Sequence, residues 1–342
     1  IMLEKYQNTK IENGLVISNH QNIFRIEKIN INKRLKNKAI NTFHELKDSL
    51  TKEIPKIAEN RKKCAICSWQ KFCDKEAKSR GFLTDIDGIG AKTASLLKNI
   101  GINNINQLAE SDKHDLDDKL SLFQERNILR TEKFIEQSKS YITGIPTRVS
   151  QDNNLRNLFI KGNQGCYVFD IESNPDENHD FLYGFLSLEN IFNNKFKYQP
   201  ILNLNNDYQK MFLKEIFEEI GINKNWPILH YGETEKISIL NLAKEYNLKS
   251  VQLDDLISRF IDLHLLIRKT WILPVKNYSL KSIANWIGFN WEQENVSGSK
   301  ALYWWIQYKS TKDDTFLKKI MKYNKDDCLA TLNIAKWLLE NK

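Results

Sequence analysis

Apolar and polar positions along this chain follow two different periods, and the change from one to the other divides it. Up to about residue 145 the helical period dominates. The run IFRIEKINI suggests a strand, and from about Asn32 to Asn60 apolar residues recur at helical spacing beneath a dense Lys/Glu surface. Together they predict the tail of an α/β unit. FLTDIDGIGAKTASLLKNIGINNINQLAES (82–111) predicts two short helices around a glycine-containing turn, and ERNILRTEKFIEQSKSYITG predicts a further helix. IPTRVSQDNN, with its Pro, Ser and Asn content, marks a linker near residues 145–155.

Beyond it the strand period takes over. CYVFDIE, FLYGFLSLE and KYQPILNL read as three strands joined by short turns, followed by the helix DYQKMFLKEIFEEI, the strand PILHY and a helix starting near Glu233. The remainder reads as helical: LDDLISRFIDLHLLIR, SLKSIANWIGF, KALYWWIQYKS and a last pair of helices from Asp313 to Asn341. Three consecutive strands and then alternating helix and strand predict an α/β fold, a mixed sheet of the RNase H type flanked by helices. A mainly helical region precedes it. No internal repeat is present.

The composition narrows the partners. With 342 residues, 41% of them hydrophobic, the chain has enough apolar surface for two or more compact domains. Lys and Arg total 51 against 43 Asp and Glu, a formal net charge of +8, which favours a polyanionic partner such as nucleic acid. Nothing resembles a signal peptide, and no apolar run approaches the roughly 20 residues that span a bilayer. A cytoplasmic location and no membrane partner are the expectation. Three of the five cysteines crowd into CAICSWQKFC (64–73), which suits a metal site in a reducing compartment better than an extracellular disulfide framework. The opening, IMLEKYQNTKIENGLVISN, has no clear domain start, and an N-terminal truncation is expected.

The chemistry begins in YVFDIE (167–172). Alternation along a strand sends Asp170 and Glu172 to one face, where two carboxylates repel unless a cation lies between them. Two further segments supply acids. LHYGETEK (229–236) places Glu235 at the start of a helix, where backbone N–H groups favour an anion, and YNKDDCLAT (323–331) places Tyr323 and Asp327 at i, i+4 on one helix face. Carboxylates from three segments, with substrate phosphate oxygens, suit a site for two Mg²⁺ or Mn²⁺ ions. Glu233, Asp326 and Asp176 read as solvated neighbours, and His230 as a strand-end residue.

Asp170-x-Glu172, an acid after the Gly232-x-Thr turn, and Tyr323-x-x-x-Asp327 resemble the DEDD superfamily of 3′–5′ exonucleases, in the branch where a Tyr orients the attacking water. Many members carry N-G-x-F-D as the second motif. Here YGETE supplies Gly232 and Glu235, an acid one methylene longer, which is similar to a bacterial RNase H-like exonuclease subfamily with HY-G-x-x-E. RFIDLH and YSLKSIANWIGFNW resemble the same subfamily, which implies that Asp262 is a supporting acid. The resemblance implies that Asp170, Glu172, Glu235 and Asp327 hold the two ions and that Tyr323 acts with them.

RKKCAICSWQKFC, with Cys64, Cys67 and Cys73, resembles the iron–sulfur tail of RecB-type PD-(D/E)xK nucleases. That resemblance implies a 4Fe–4S cluster in a full-length parent, with a fourth cysteine upstream that this chain does not contain. Cys166 and Cys328 read as small buried hydrophobes. DIDGIGAKTASLLKNIG (85–101) matches the h-G-h-G pattern of a helix-hairpin-helix, in which Gly88, Ile89 and Gly90 let backbone N–H groups approach a phosphate and Lys92 adds charge.

The expected organisation is thus a RecB-like remnant over 1–80, a helix-hairpin-helix region over 81–145 and an RNase H-like exonuclease domain over 155–342. The whole resembles a RecB-family nuclease with a C-terminal exonuclease domain. It implies a DNA nuclease in repair or recombination. A rival reading is a nucleic-acid-binding or scaffolding protein whose RNase H-like domain no longer cuts, and a second is an exonuclease that acts on RNA.

Overall fold

The strand expected at IFRIEKINI pairs with a neighbour that the hydrophobic pattern does not announce. In the computed structural model, which describes residues 2–20, 23–50, 57–58, 67, 69–121, 131–151, 154–160, 165–204, 214–215, 217–219, 221, 225–245, 250–293 and 296–341, the chain divides into two units, Ile1–Ala77 and Lys78–Lys342. The first holds α1 (Met2–Gln7) and an antiparallel hairpin of β1 (Asn13–His20) and β2 (Ile23–Asn30), in register from Asn13 opposite Asn30 to His20 opposite Ile23. β1 reads NGLVISNH, polar at both ends, with too short an apolar run to stand out. Next comes α2 (Lys33–Leu50), whose first turn is capped by the Asn32 side chain accepting from Leu35 N at 2.9 Å. α3 (Gln70–Arg80) crosses into the second unit.

The second unit opens with α4 (Ala91–Asn99), α5 (Ile105–Ala109), α6 (Lys113–Ser121) and α7 (Thr131–Thr143). Leu83, Ile86, Ile89, Leu97, Leu108 and Phe134 form their common core. β3 (Thr147–Arg148) and α8 (Asn154–Ile160) follow, then the central strands β4 (Cys166–Asn174), β5 (His179–Leu188), β6 (Lys197–Leu202) and β7 (Ile228–His230). The expected helix over DYQKMFLKEIFEEI lies mostly outside the described residues. The remaining elements are α9 (Thr234–Glu245), α10 (Ser250–Ser258), β8 (Phe260–Asp262), α11 (Leu263–Thr270), β9 (Trp271–Ile272), α12 (Leu280–Trp286), α13 (Gly298–Thr311) and α14 (Asp314–Glu340).

The central sheet runs β6-β5-β4-β7-β8, antiparallel among the first three strands and parallel from β4 through β7 to β8. This is the mixed, helix-flanked sheet that the element order predicts. Both faces are covered. Tyr167, Phe169, Tyr183 and Phe185 face one side with Ile239 of α9, and Phe169 stacks on Phe185 with ring centres 4.5 Å apart. Cys166, Val168, Leu186 and Leu229 face the other, against Cys328, Ala330 and Ile334 of α14.

Three departures from the expected elements have physical reasons. LDDLISRFIDLHLLIR, expected as one helix, holds a fifth sheet strand: Ile228, Leu229 and His230 pair with Phe260, Ile261 and Asp262, and the Asp262 carboxylate then caps α11 by accepting from His264 N and Leu265 N. A three-residue strand is too short to show a period. The expected pair of helices at the C-terminus is one unbroken helix, α14, of 27 residues. Finally, the segment expected as a linker near 145–155 is tied down, because Thr147 and Arg148 pair with Ile272 and Trp271 and Val149 N donates to the Thr270 carbonyl at 2.8 Å.

The same region fixes α7. Gln137, fully buried, donates from Nε2 to the Leu273 carbonyl at 2.5 Å and accepts from the Tyr278 hydroxyl at 3.1 Å. Two ion pairs lie beside it, Arg268 with Asp87 at 2.9 Å and Lys276 with Asp85 at 3.3 Å. Asp85 itself is buried.

Candidate metal centre

On β4 the even-numbered side chains face α14. Cys166 and Val168 fill the core there, so the next two residues on that face, Asp170 and Glu172, meet the helix where Asp327 projects. One carboxylate oxygen from each of Asp170, Glu172 and Asp327 lies within 4.8 Å of the others. A bulge between Glu172 and Ser173 shifts the pairing with β5 at this point, which re-aims the strand where its core ends.

Glu172 and Asp327 are buried, and the low local dielectric sets the protonation of the group. Asp170 is pushed well above the carboxylate range, chiefly by burial and then by the charges of Asp327, Glu172 and Glu235. Glu172 is raised by burial and by Asp327, against the opposing charge of Lys281. Asp327 rises to about 6 through burial, restrained by hydrogen bonds from Trp291 and Tyr323 and by Lys281. Three acids that resist ionisation side by side favour a cation between them.

The surrounding shell comes from segments far apart in sequence. Trp291 Nε1 donates to Asp327 Oδ1 at 2.5 Å. Tyr323 is buried and its hydroxyl bonds to Asp327. Burial and the charges of Asp327 and Glu172 raise its pKa far beyond the phenol range, so it acts as a neutral donor and not as a base. The Lys281 ammonium lies 5.1 Å from the Tyr323 ring centre and 5.5 Å from that of Trp291, and it donates to the Val296 carbonyl. Asn324 donates from Nδ2 to Asp170 Oδ2 at 2.8 Å, and its Oδ1 accepts from the Tyr198 hydroxyl at 2.8 Å. This reach requires Gly184, which sits opposite Asp170 on β5. A Cβ at 184 would overlap Asn324 Oδ1.

Glu235 stands in the first turn of α9, buried, outside the 4.8 Å group but close enough for its charge to act on Asp170. Its Oε2 has no hydrogen-bond partner among the described residues, and His230 Nδ1 is 3.6 Å away. His230 Nδ1 donates to the Gly232 carbonyl at 2.6 Å, which keeps it at the strand end. Asp262 Oδ1 accepts from Gly232 N at 3.1 Å, so this acid shapes the turn leading to Glu235. Asp176 and Glu233 are exposed as expected. Asp326 is not: it is buried and accepts from Glu292 N at 3.0 Å, because the loop carrying Trp291 folds over α14.

Asn324, Lys281, Trp291, Tyr198 and Gly184 carry no motif signal of their own. Lys281 and Trp291 lie within YSLKSIANWIGFNW and Asn324 within YNKDDCLAT, while Tyr198 and Gly184 lie in strands read for their apolar pattern alone. Their roles arise from tertiary approach.

The donor set is all carboxylate oxygen, which suits a hard divalent cation such as Mg²⁺ or Mn²⁺. A mixed sheet of this order, with an oxygen-donor centre on its first strand and its last helix, defines an RNase H-type fold, a class whose members are typically nucleases. Residues 167–339, half of the chain, match the RNase H superfamily, and the protein belongs to that superfamily. No curated protein and no solved structure matches the chain. No described helix is long and apolar enough to cross a membrane.

The remaining predicted residues lie elsewhere. Gly88 takes a positive φ of 86°, Ile89 is buried, Gly90 precedes α4 as its N-cap and Lys92 is exposed in the first turn. Cys67 is exposed and Cys73 is half-buried in α3, while Cys64 lies outside the described residues. Cys166 and Cys328 are fully buried in the sheet's core. The tail thus offers three thiolates where a 4Fe–4S cluster takes four, an incomplete set within these residues.

Proposed function

We propose that the protein is a metal-dependent nuclease, a 3′–5′ exonuclease that hydrolyses DNA in repair or recombination in the cytoplasm. The observation that carries this reading is the convergence of Asp170, Glu172 and Asp327 within 4.8 Å, with the Tyr323 hydroxyl bonded to Asp327. These acids, with Glu235 beside Asp170, would hold two Mg²⁺ or Mn²⁺ ions. Such ions, when bound, activate water and stabilise charge on the phosphate and the leaving oxygen.

The chain's own residues then have separate tasks. In the reaction, water oxygen bonds to the terminal phosphorus and loses its proton to bulk solvent, the bond from phosphorus to the 3′ oxygen breaks, and that oxygen takes a proton from solvent to leave as a hydroxyl. Tyr323, held neutral, orients the water and does not remove its proton. Asn324 and Trp291 keep Asp170 and Asp327 in place. Lys281 limits the net negative charge that a phosphate meets on approach. The turn at Gly88–Gly90 and Lys92, within the helix-hairpin-helix proposed for 81–145, would grip the phosphate backbone and carry no sequence information.

The test is Mn²⁺-dependent degradation of end-labelled single- and double-stranded DNA and RNA by the wild-type chain and by Asp170→Asn. Stepwise shortening from the 3′ end that the variant abolishes supports the reading, and the preferred substrate chooses between DNA and RNA. Binding without cleavage in any metal would leave a nucleic-acid-binding module.

A further inference from the structure

α13 has two unlike faces. Ala301, Trp304 and Trp305 are buried with Leu317, Ile320 and Tyr323 of α14, whereas Tyr303 and Ile306, one turn apart, are 54% and 47% exposed. The charges within the helix itself have one sign, with Asp313 and Asp314 following its C-cap. Residues 298–312 contain Lys300, Lys309 and Lys312 and no acid. Lys300 Nζ and Lys319 Nζ lie 5.9 and 6.0 Å from the Trp304 ring, so two cations are held about one indole. Among the described residues neither is in an ion pair, unlike Lys309, which binds Glu177, and Lys322, which binds Glu292.

The helix also begins at the metal centre. Val296, just before α13, receives the Lys281 ammonium, and Tyr323 shares the core beneath Ala301 and Trp304. From there its 14 residues run about 21 Å outward to the turn at Lys312. A basic surface with an exposed aromatic ring suits a polynucleotide whose bases are unpaired, since base faces stack on such rings and phosphates meet the cations. A duplex hides its base faces, and a protein partner would need an acidic surface to match these lysines.

We propose that α13 is a track for single-stranded nucleic acid leading into the metal centre, with Tyr303 stacking a base and Lys300 and Lys319 meeting phosphates. The direction of travel rests on the nuclease reading, whereas the binding surface stands on its own residues.

The experiment measures fluorescence anisotropy of a short 5′-fluorescein oligothymidylate with the full chain in EDTA, so that nothing is cut. Tyr303→Ala should weaken binding by about tenfold and Tyr303→Trp should restore it. Lys300→Gln/Lys319→Gln should reduce the slope of log affinity against log salt by about 1.4, or about 0.7 per lost phosphate contact. Circular dichroism melting checks that each variant folds. No binding by the wild type, equal binding by all variants, or tighter binding of a duplex that ignores Tyr303 would overturn the track. Hydrolysis of the p-nitrophenyl ester of thymidine 5′-monophosphate by the wild type with Mn²⁺ reads the metal centre without the track. Tyr303-dependent binding with no ester or oligonucleotide cleavage would sink the nuclease and leave the track, and the reverse pattern would sink the track alone.

Discussion

Asp327 keeps its proton up to a pH of about 6 although Trp291 and Tyr323 both bond to it, and this fixes the sign of a pH effect. A carboxyl whose pKa is higher folded than unfolded stabilises the fold while it stays protonated, and that contribution is lost as pH rises through the folded value. For Asp327 the loss is on the order of 3 kcal/mol between about pH 4 and pH 6, and Asp170 and Glu172 are shifted the same way. Metal-free protein should therefore melt at a lower temperature as pH rises over this window, and saturating Mn²⁺ should remove the decline. Asp327→Asn keeps an acceptor for Trp291 and removes the charge. Its metal-free melting temperature at pH 7 should exceed the wild type's, while its Mn²⁺ affinity, measured by calorimetry, should collapse. The acids were legible in the sequence because each follows a periodic element: two share a strand face and one shares a helix face with Tyr323. Asn324 adjoins that motif yet carries no such signal, since its use depends on a glycine 140 residues earlier on another strand.

That glycine belongs to the scale of elements, where β4, β5 and α14 meet. Gly184→Ala would push a methyl group into Asn324, and over-packing of this kind costs roughly 1–3 kcal/mol. The expected result is a lower melting temperature together with weaker metal binding, because Asp170 loses its donor. Adding Asn324→Ala should restore part of the stability but not the metal affinity, and a double-mutant cycle in thermal melts reads the coupling. The long strands β4 and β5 were legible as apolar runs bounded by polar turn residues. β8 and the β3–β9 pair were not, because three or two residues contain less than one readable period and their pairing is decided by the rest of the sheet. The single helix α14 was expected as two, since polar Asn324, Lys325, Asp326 and Asp327 interrupt its apolar stripe; here Asn324 and Asp327 face the site, Asp326 the loop at Trp291 and Lys325 the Phe196 ring.

For the molecule as a whole, net charge of +8 fits a polyanionic substrate, and the fold class followed from element order before any side chain was placed. The organisation between α4–α7 and the sheet was not readable, because Gln137, Tyr278 and the pairs Asp87–Arg268 and Asp85–Lys276 join residues more than a hundred positions apart. Tyr278→Phe removes a hydroxyl that serves Gln137 and Leu273 N, leaving buried partners unsatisfied at a cost of about 1–3 kcal/mol; thermal melting should show one cooperative, lowered transition across Lys78–Lys342. These ties have a further consequence under the proposed exonuclease reading. With the α4 turn and the metal centre held at a constant separation, the proposed exonuclease would carry a built-in gauge: digestion should leave a residual oligonucleotide of uniform length once the 3′ end can no longer span both. Arg268→Ala, by loosening one tie, should broaden that residue into a ladder on a sequencing gel.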